Sequence, residues 1–377
     1  MNFNTKRIVM AALAASLLTG GCGFHRKKYE NPITKDTEQP DKVLFDKSIA
    51  DIEKGRYEVA RLTLNTLINT YDSSEFLAKA KLAIADSWMR QSGAEGFAQA
   101  EAEYKDFQLF YPTMEEAPEA QYKICEIHIR QMEKADRDSN NALRAEQECR
   151  DLLTKYPNSK FAPQTQQRLR EVQETLAQAE MIAGDYYYNK GALAAATNRL
   201  TGLVGQYPLY SRAAEALWMD ANAYSRLGAR FRAKAGDAYA KIVRDYPLSP
   251  YADQAKKKLQ ELELPVPEAD PNAVARMKYE AANHVEPGKL HKLTDFIRRN
   301  PDVSDAAKSG TPTMDPPVRE IPVTVPVTAD ASGATGFTGD VTVAPVTGNS
   351  ALDTQPDART PAAPKPAAGG DAPPKQK

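Results

Sequence analysis

The sequence predicts an all-α protein: a tetratricopeptide-repeat α-solenoid of about five helix pairs, followed by a disordered C-terminal tail. Three observations predict it. The first is a pattern in which a small Ala is followed four and seven residues later by bulky or buried-type residues, and then by Tyr-Pro. It occurs as Ala100, Tyr104, Phe107, Tyr111-Pro112, as Ala145, Cys149, Leu152, Tyr156-Pro157, as Ala196, Leu200, Leu203, Tyr207-Pro208, and as Ala235, Tyr239, Ile242, Tyr246-Pro247. A first copy, Ala60, Leu64, Leu67, Tyr71-Asp72, lacks the Pro. The second observation is register: the five Tyr stops are 40, 45, 51 and 39 residues apart. The third is a short Ser-containing segment just after the stop, such as Asn158-Ser159-Lys160-Phe161-Ala162, that reads as a helix start.

Offsets of four and seven put the Ala and both larger side chains on one helical face, and the Ala lets a partner helix come close. Pro stops the helix, because its ring clashes with the preceding turn and it has no N–H. Ser after the stop is expected to cap the next helix. Helix, turn, helix, stop, repeated at such a period, is the signature of stacked helical hairpins.

In chain order, residues 1–21 read as a secretion signal. Lys6-Arg7 precede an apolar run over residues 8–18 that is too short to span a bilayer, and Thr19-Gly20-Gly21 lead to Cys22. Small residues directly before a Cys resemble the lipobox of bacterial lipoproteins, with Leu18 one place earlier than usual; the resemblance makes Cys22 the lipidation site and the new N-terminus. Gly23 is not the Asp that retains lipoproteins in the inner membrane, so the implied place is the periplasmic face of the outer membrane, with the chain lipid-anchored. Residues 22–41, with His25-Arg26-Lys27-Lys28 and little apolar content, read as a flexible tether.

Residues 42–264 hold the five units. Gly55 and Gly191 are expected at the inter-helix turns of the first and fourth. Trp88, Trp218 and Tyr224 fall on first helices and read as packing residues. Extra length between helices is expected as loops over residues 91–97 and 134–141. Residues 265–301 read as extra C-terminal helices that cap the solenoid, with binding of a partner as the alternative. One begins at Asp270-Pro271 and runs to about Asn283; a second begins at Pro287, with Leu290, Leu293 and Ile297 on one face. Residues 302–377 read as a disordered tail: from Gly310 onward it holds twelve of the chain's 26 Pro and almost no aromatic residue.

Composition and motifs exclude several functions. Forty-nine basic residues against 50 acidic ones leave no footprint for nucleic acid. His25, His128, His284 and His291 are not in metal-ligand spacing, and no phosphate loop or nucleophile turn is present. Glu115-Glu116 suit a helix start better than acid–base work. No enzyme, cofactor or metal is expected.

Cys125 and Cys149 are the only thiols besides Cys22. They lie on the two helices of the third unit, at equal distance from a turn near Arg137, and Cys149 holds a packing place that faces the partner helix. The pair reads as a disulfide in an oxidising compartment, with two buried free thiols as the alternative.

The tethered repeat array resembles the BamD family, lipoprotein subunits of the outer-membrane β-barrel assembly machinery. The fourth unit carries the closest match: Asp185-Tyr186-Tyr187-Tyr188-Asn189-Lys190-Gly191-Ala192, then Asn198-Arg199 and Tyr207-Pro208. The resemblance spans about residues 22–262. It implies a non-enzymatic scaffold that receives unfolded outer-membrane proteins and couples to a BamA-like barrel subunit and other machinery lipoproteins. It also places incoming substrate at the first two units and makes Asn198 and Arg199 partner-binding residues. The alternative is a repeat adaptor linking cell-wall synthesis to the outer membrane, with a hydrolase hidden in the insertions a remote third reading.

Overall fold

Each of the five Tyr stops is a helix end. The computed structural model describes Ile33, residues 39–284 and residues 299–316. All belong to one unit of the chain, residues 1–322; the other, residues 323–377, lies outside them. So do Cys22, the signal and most of the tether, the helix expected from Pro287, and the tail beyond residue 316.

The described residues form twelve α-helices and no strand. The first five pairs are α1 (Pro40–Glu53) with α2 (Tyr57–Thr70), α3 (Leu77–Gln91) with α4 (Gly93–Phe110), α5 (Ala117–Gln131) with α6 (Asn140–Lys155), α7 (Ala162–Asn189) with α8 (Leu193–Gln206), and α9 (Ala213–Leu227) with α10 (Arg232–Asp245). A single 3-10 turn, Ala229–Phe231, precedes α10, and α11 (Ala252–Glu261) and α12 (Pro271–Asn283) come after it. From α1 to α11 each helix packs on the next in chain order, and α12 rests on α10. This is the all-helical, pairwise-stacked architecture of a TPR-like solenoid.

The repeat pattern is the core. In all five copies the Ala and the residues four and seven after it are at most 1% exposed. The stop also repeats in detail. Tyr71, Tyr111, Tyr156, Tyr207 and Tyr246 end α2, α4, α6, α8 and α10 with φ between −133° and −122°. The carbonyl of each Tyr then accepts from the N–H three residues on, at 3.0–3.3 Å. Tyr71 adopts these angles although Asp72 comes next, so packing of the aromatic ring is enough to set the bend, and Pro reinforces it.

Gly55 and Gly191 have φ of +72° and +76°, the left-handed turn expected of them. Asp270 caps α12, its Oδ1 accepting from Asn272 N at 2.9 Å. Trp218 packs on Tyr239 and Tyr251, Tyr224 stacks on Phe231, and Trp88 lies under the Arg61 guanidinium.

Three expectations change, and one period finds its cause. Ser159 and Ser249 do not cap: their hydroxyls are buried without a partner, and the N-caps of α7 and α11 are Phe161 and Tyr251, while Ser74 accepts only from Phe76 N just outside α3. Residues 91–97 are not a loop, because Ser92 alone separates α3 from α4. The corner is this sharp because Gly96 sits under the Trp88 carbonyl, where a Cβ would be 2.9 Å away. The longest period, 51 residues, comes from α7 itself, which runs for 28 residues. Residues 302–316, expected in the tail, lie against α6, α7 and α12, with Ala306 and Ala307 buried, because their main chain finds polar side chains to bond.

Candidate partner-binding site

The α7–α8 face carries the residues singled out for partner binding. On α8 the inward positions are Ala196, Leu200 and Leu203, so the helical period leaves Asn198 exposed and Arg199 at the flank. The two helices meet closely because α7 has Gly184 where Leu200 arrives; a Cβ at Gly184 would lie 2.6 Å from Leu200 Cδ2. Across this contact Arg199 Nη1 is 3.1 Å from Glu180 Oε2, with the two side chains 42% and 39% exposed. An ion pair this wet is worth about 0–1 kcal/mol, so a partner carboxylate can take over the guanidinium at little cost.

A cleft of about 450 Å³ opens between α8, α9 and α10. At its base Asp220 is nearly fully buried and accepts from Thr201 Oγ1 at 2.9 Å, while its Oδ1 has no partner. Burial pushes its carboxyl up to about 7, against smaller downward pulls from Thr201, Lys234 and Lys241. Lys234, Lys241 and Arg244 border the cleft, which therefore presents cations above a carboxyl that resists ionising.

In the third unit Cys125 and Cys149 are joined by a disulfide with a Cα–Cα distance of 5.2 Å, both fully buried against Leu169 of α7. One turn further along α5 is His128, 1% exposed, with neither ring nitrogen hydrogen-bonded. Burial holds its imidazole below the usual range, with Glu101 and Glu148 pulling the other way. Ligating atoms of Glu101, His128 and Glu148 lie within 4.8 Å of one another, a grouping that no sequence spacing reveals. Lys105 lies between the two carboxylates, 2.7 Å from Glu101 and 3.1 Å from Glu148. The cluster joins α4, α5 and α6 through charged side chains.

The first two units expose Leu62 on α2 and the adjacent Leu109 and Phe110 on α4, each about two-thirds exposed or more. Among the described residues no helix is long and apolar enough to cross a membrane. Sequence reasoning missed Asp220, Glu180 and the His128 cluster. Each is an ordinary polar residue on a helix, made unusual only by what another helix brings to it. Periodicity carries a signal for one case: Asp220 lies three after Leu217 and four before Tyr224, on the apolar stripe of α9.

Residues 37–236, more than half of the chain and covering α1 to α9, match the family described as YfiO, outer membrane lipoprotein. No curated protein matches the chain.

Proposed function

The chain belongs to the YfiO (BamD) family of outer membrane lipoproteins, and from that membership we propose that it is a non-enzymatic periplasmic scaffold of the outer-membrane assembly machinery. In this reading it receives unfolded β-barrel proteins and couples them to a BamA-like barrel subunit. The family is one of non-catalytic assembly lipoproteins. The observation that carries the reading is the extent of the family match, which spans four complete helix pairs and most of a fifth rather than one motif.

The anchor is Cys22, whose acyl chains hold the protein to the outer membrane, since two or more chains bind stably where one does not. Exposed Leu62, Leu109 and Phe110 support the first two units as the place where a partly apolar chain arrives. Asn198 and Arg199 are the contact with the barrel subunit. Asn198 is free in solvent, and Arg199 exchanges Glu180 for a partner acid.

Crosslinking in intact envelopes followed by recovery of the chain tests this. The expected partners are the barrel subunit, other lipoproteins of the machinery and immature β-barrel proteins. Recovery of peptidoglycan enzymes in their place would overturn the reading in favour of a cell-wall adaptor.

A further inference from the structure

We propose that the polar face of α7, completed by Arg150 on α6 and Glu280 on α12, is a binding site for a bent polypeptide segment without helix or strand, and that residues 306–315 of the chain occupy it as an internal placeholder. The inference deepens the scaffold reading by giving an unfolded chain a place to lie, and it rests on that reading.

The contacts are made almost wholly to main chain. Arg170 spreads its guanidinium over three carbonyls: Nε donates to Ala307 O at 3.0 Å, Nη1 to Gly310 O at 2.8 Å and Nη2 to Lys308 O at 3.4 Å. The Gln173 amide donates to Thr313 O at 2.8 Å and accepts from Thr313 N at 3.2 Å, the two-point contact that a neighbouring strand would make. Glu280 accepts from Lys308 N at 2.9 Å and Ser309 N at 2.7 Å, and Arg150 donates to Asp315 O. Bonds to carbonyls and amides do not read side chains, so the surface holds a bent backbone whose one strict demand is a glycine at the position of Gly310.

The occupant fits it imperfectly. A cavity of about 350 Å³ stays open beside residues 304–308, lined also by Tyr246, Met277 and Arg276. Ala306 and Ala307 are too small to fill it. Gly310 is held at φ +88°, and a Cβ there would lie 2.9 Å from Leu209 Cδ2. A segment with a large apolar side chain where Ala307 stands would keep the main-chain bonds and fill the cavity as well. The occupant that suits this surface is therefore a partly apolar polypeptide segment with a glycine at its bend, and the placeholder is built to be displaced.

The test uses the full chain and two fluorescein-labelled peptides, one with the sequence of residues 303–316 and one with Phe in place of Ala307. The Gly310→Val protein, whose own segment is strained out of place, should bind both peptides at least tenfold more tightly than the unaltered protein, the Phe peptide more tightly than the other. Adding Arg170→Ala should cancel the gain. If that double variant loses its helical circular dichroism, Glu280→Gln in the Gly310→Val protein takes its place and should lower binding severalfold. Equal binding by the Gly310→Val and unaltered proteins, or a gain that survives loss of Arg170 or Glu280, overturns the site. If the site fails while the unaltered chain still recovers unfolded β-barrel proteins, the scaffold reading stands without it. A peptide gain without that recovery sinks the scaffold reading and leaves the site.

Discussion

Replacing Cys125 with Ala and Cys149 with Val removes the cross-link of the third unit and leaves its core volume nearly unchanged. The bond closes a segment with a sequence separation of 24, and the chain-entropy model gives about 3.5 kcal/mol for a loop of that size. Packing should add little to the loss. Cys149 takes the place that Leu64, Tyr104, Leu200 and Tyr239 hold in the other units, and a Val there with Ala opposite keeps the contact with Leu169. Stability in a repeat array is local, so the assay must be local too. Hydrogen exchange of amides in α5 and α6 should quicken by a factor of a few hundred in the variant, the equivalent of about 3.5 kcal/mol, while α9 and α10 change far less. Unchanged exchange in α5 and α6 would refute the entropic reasoning. Uptake of a thiol reagent by both cysteines in denatured, unreduced protein from an oxidising compartment would remove its premise.

Arg199→Ala should cost at most about 1 kcal/mol of stability by thermal melting, because the Glu180 pair is exposed. It should nonetheless reduce crosslinked recovery of the barrel subunit, and undiminished recovery rejects the contact. Gly184→Ala should destabilise by about 1–2 kcal/mol, overpacking against fully buried Leu200 outweighing a helix-propensity gain of about 1 kcal/mol. Gly236→Ala should be near neutral, since the Leu264 tip it meets is only half-buried and can turn away; equal melting of the two variants would show that crowding is not the cause. Cys22→Ser should release the protein from membranes and abolish labelling by palmitate; persistent labelling excludes Cys22 as the anchor. Asp220→Asn should flatten the pH dependence of stability. The carboxyl is raised to about 7 in the fold from an ordinary 3.8, so its ionisation costs nothing below pH 4 and opposes folding increasingly as pH rises to 7, by up to about 4 kcal/mol. Parent and variant losing stability in parallel between pH 4 and 7 would assign the titration elsewhere.

The helices were legible because two local rules agree with the tertiary outcome. A face made of residues at zero, four and seven must be buried somewhere, and a Tyr stop sets the angle at which the next helix leaves. Where one rule was read alone it failed. Glycine and serine over residues 91–97 read as a loop, yet Gly96 is there to let α4 start against the Trp88 carbonyl. The low apolar content of residues 302–316 read as disorder, yet that segment is held by hydrogen bonds to its backbone, which composition does not record.

The same distinction explains which site residues could be found in advance. Two antiparallel helices joined by one turn fix which residues stand level, so spacing brings Cys125 and Cys149 within reach of each other while leaving bond or free thiols open. His128 with Glu101 and Glu148, or Arg170 with carbonyls 137 to 140 residues further on, are meetings between elements whose relative rotation no local pattern sets. A polar residue on an apolar stripe is the trace such meetings leave in a sequence. Asp220 stands on the stripe of α9, and Gln173 on that of α7 between Val172 and Leu176, and both are buried. Desolvating either group costs about 1–3 kcal/mol unless something answers it. Thr201 answers Asp220 on one oxygen only, whereas the Gln173 amide, which does not ionise, is satisfied at both ends by Thr313.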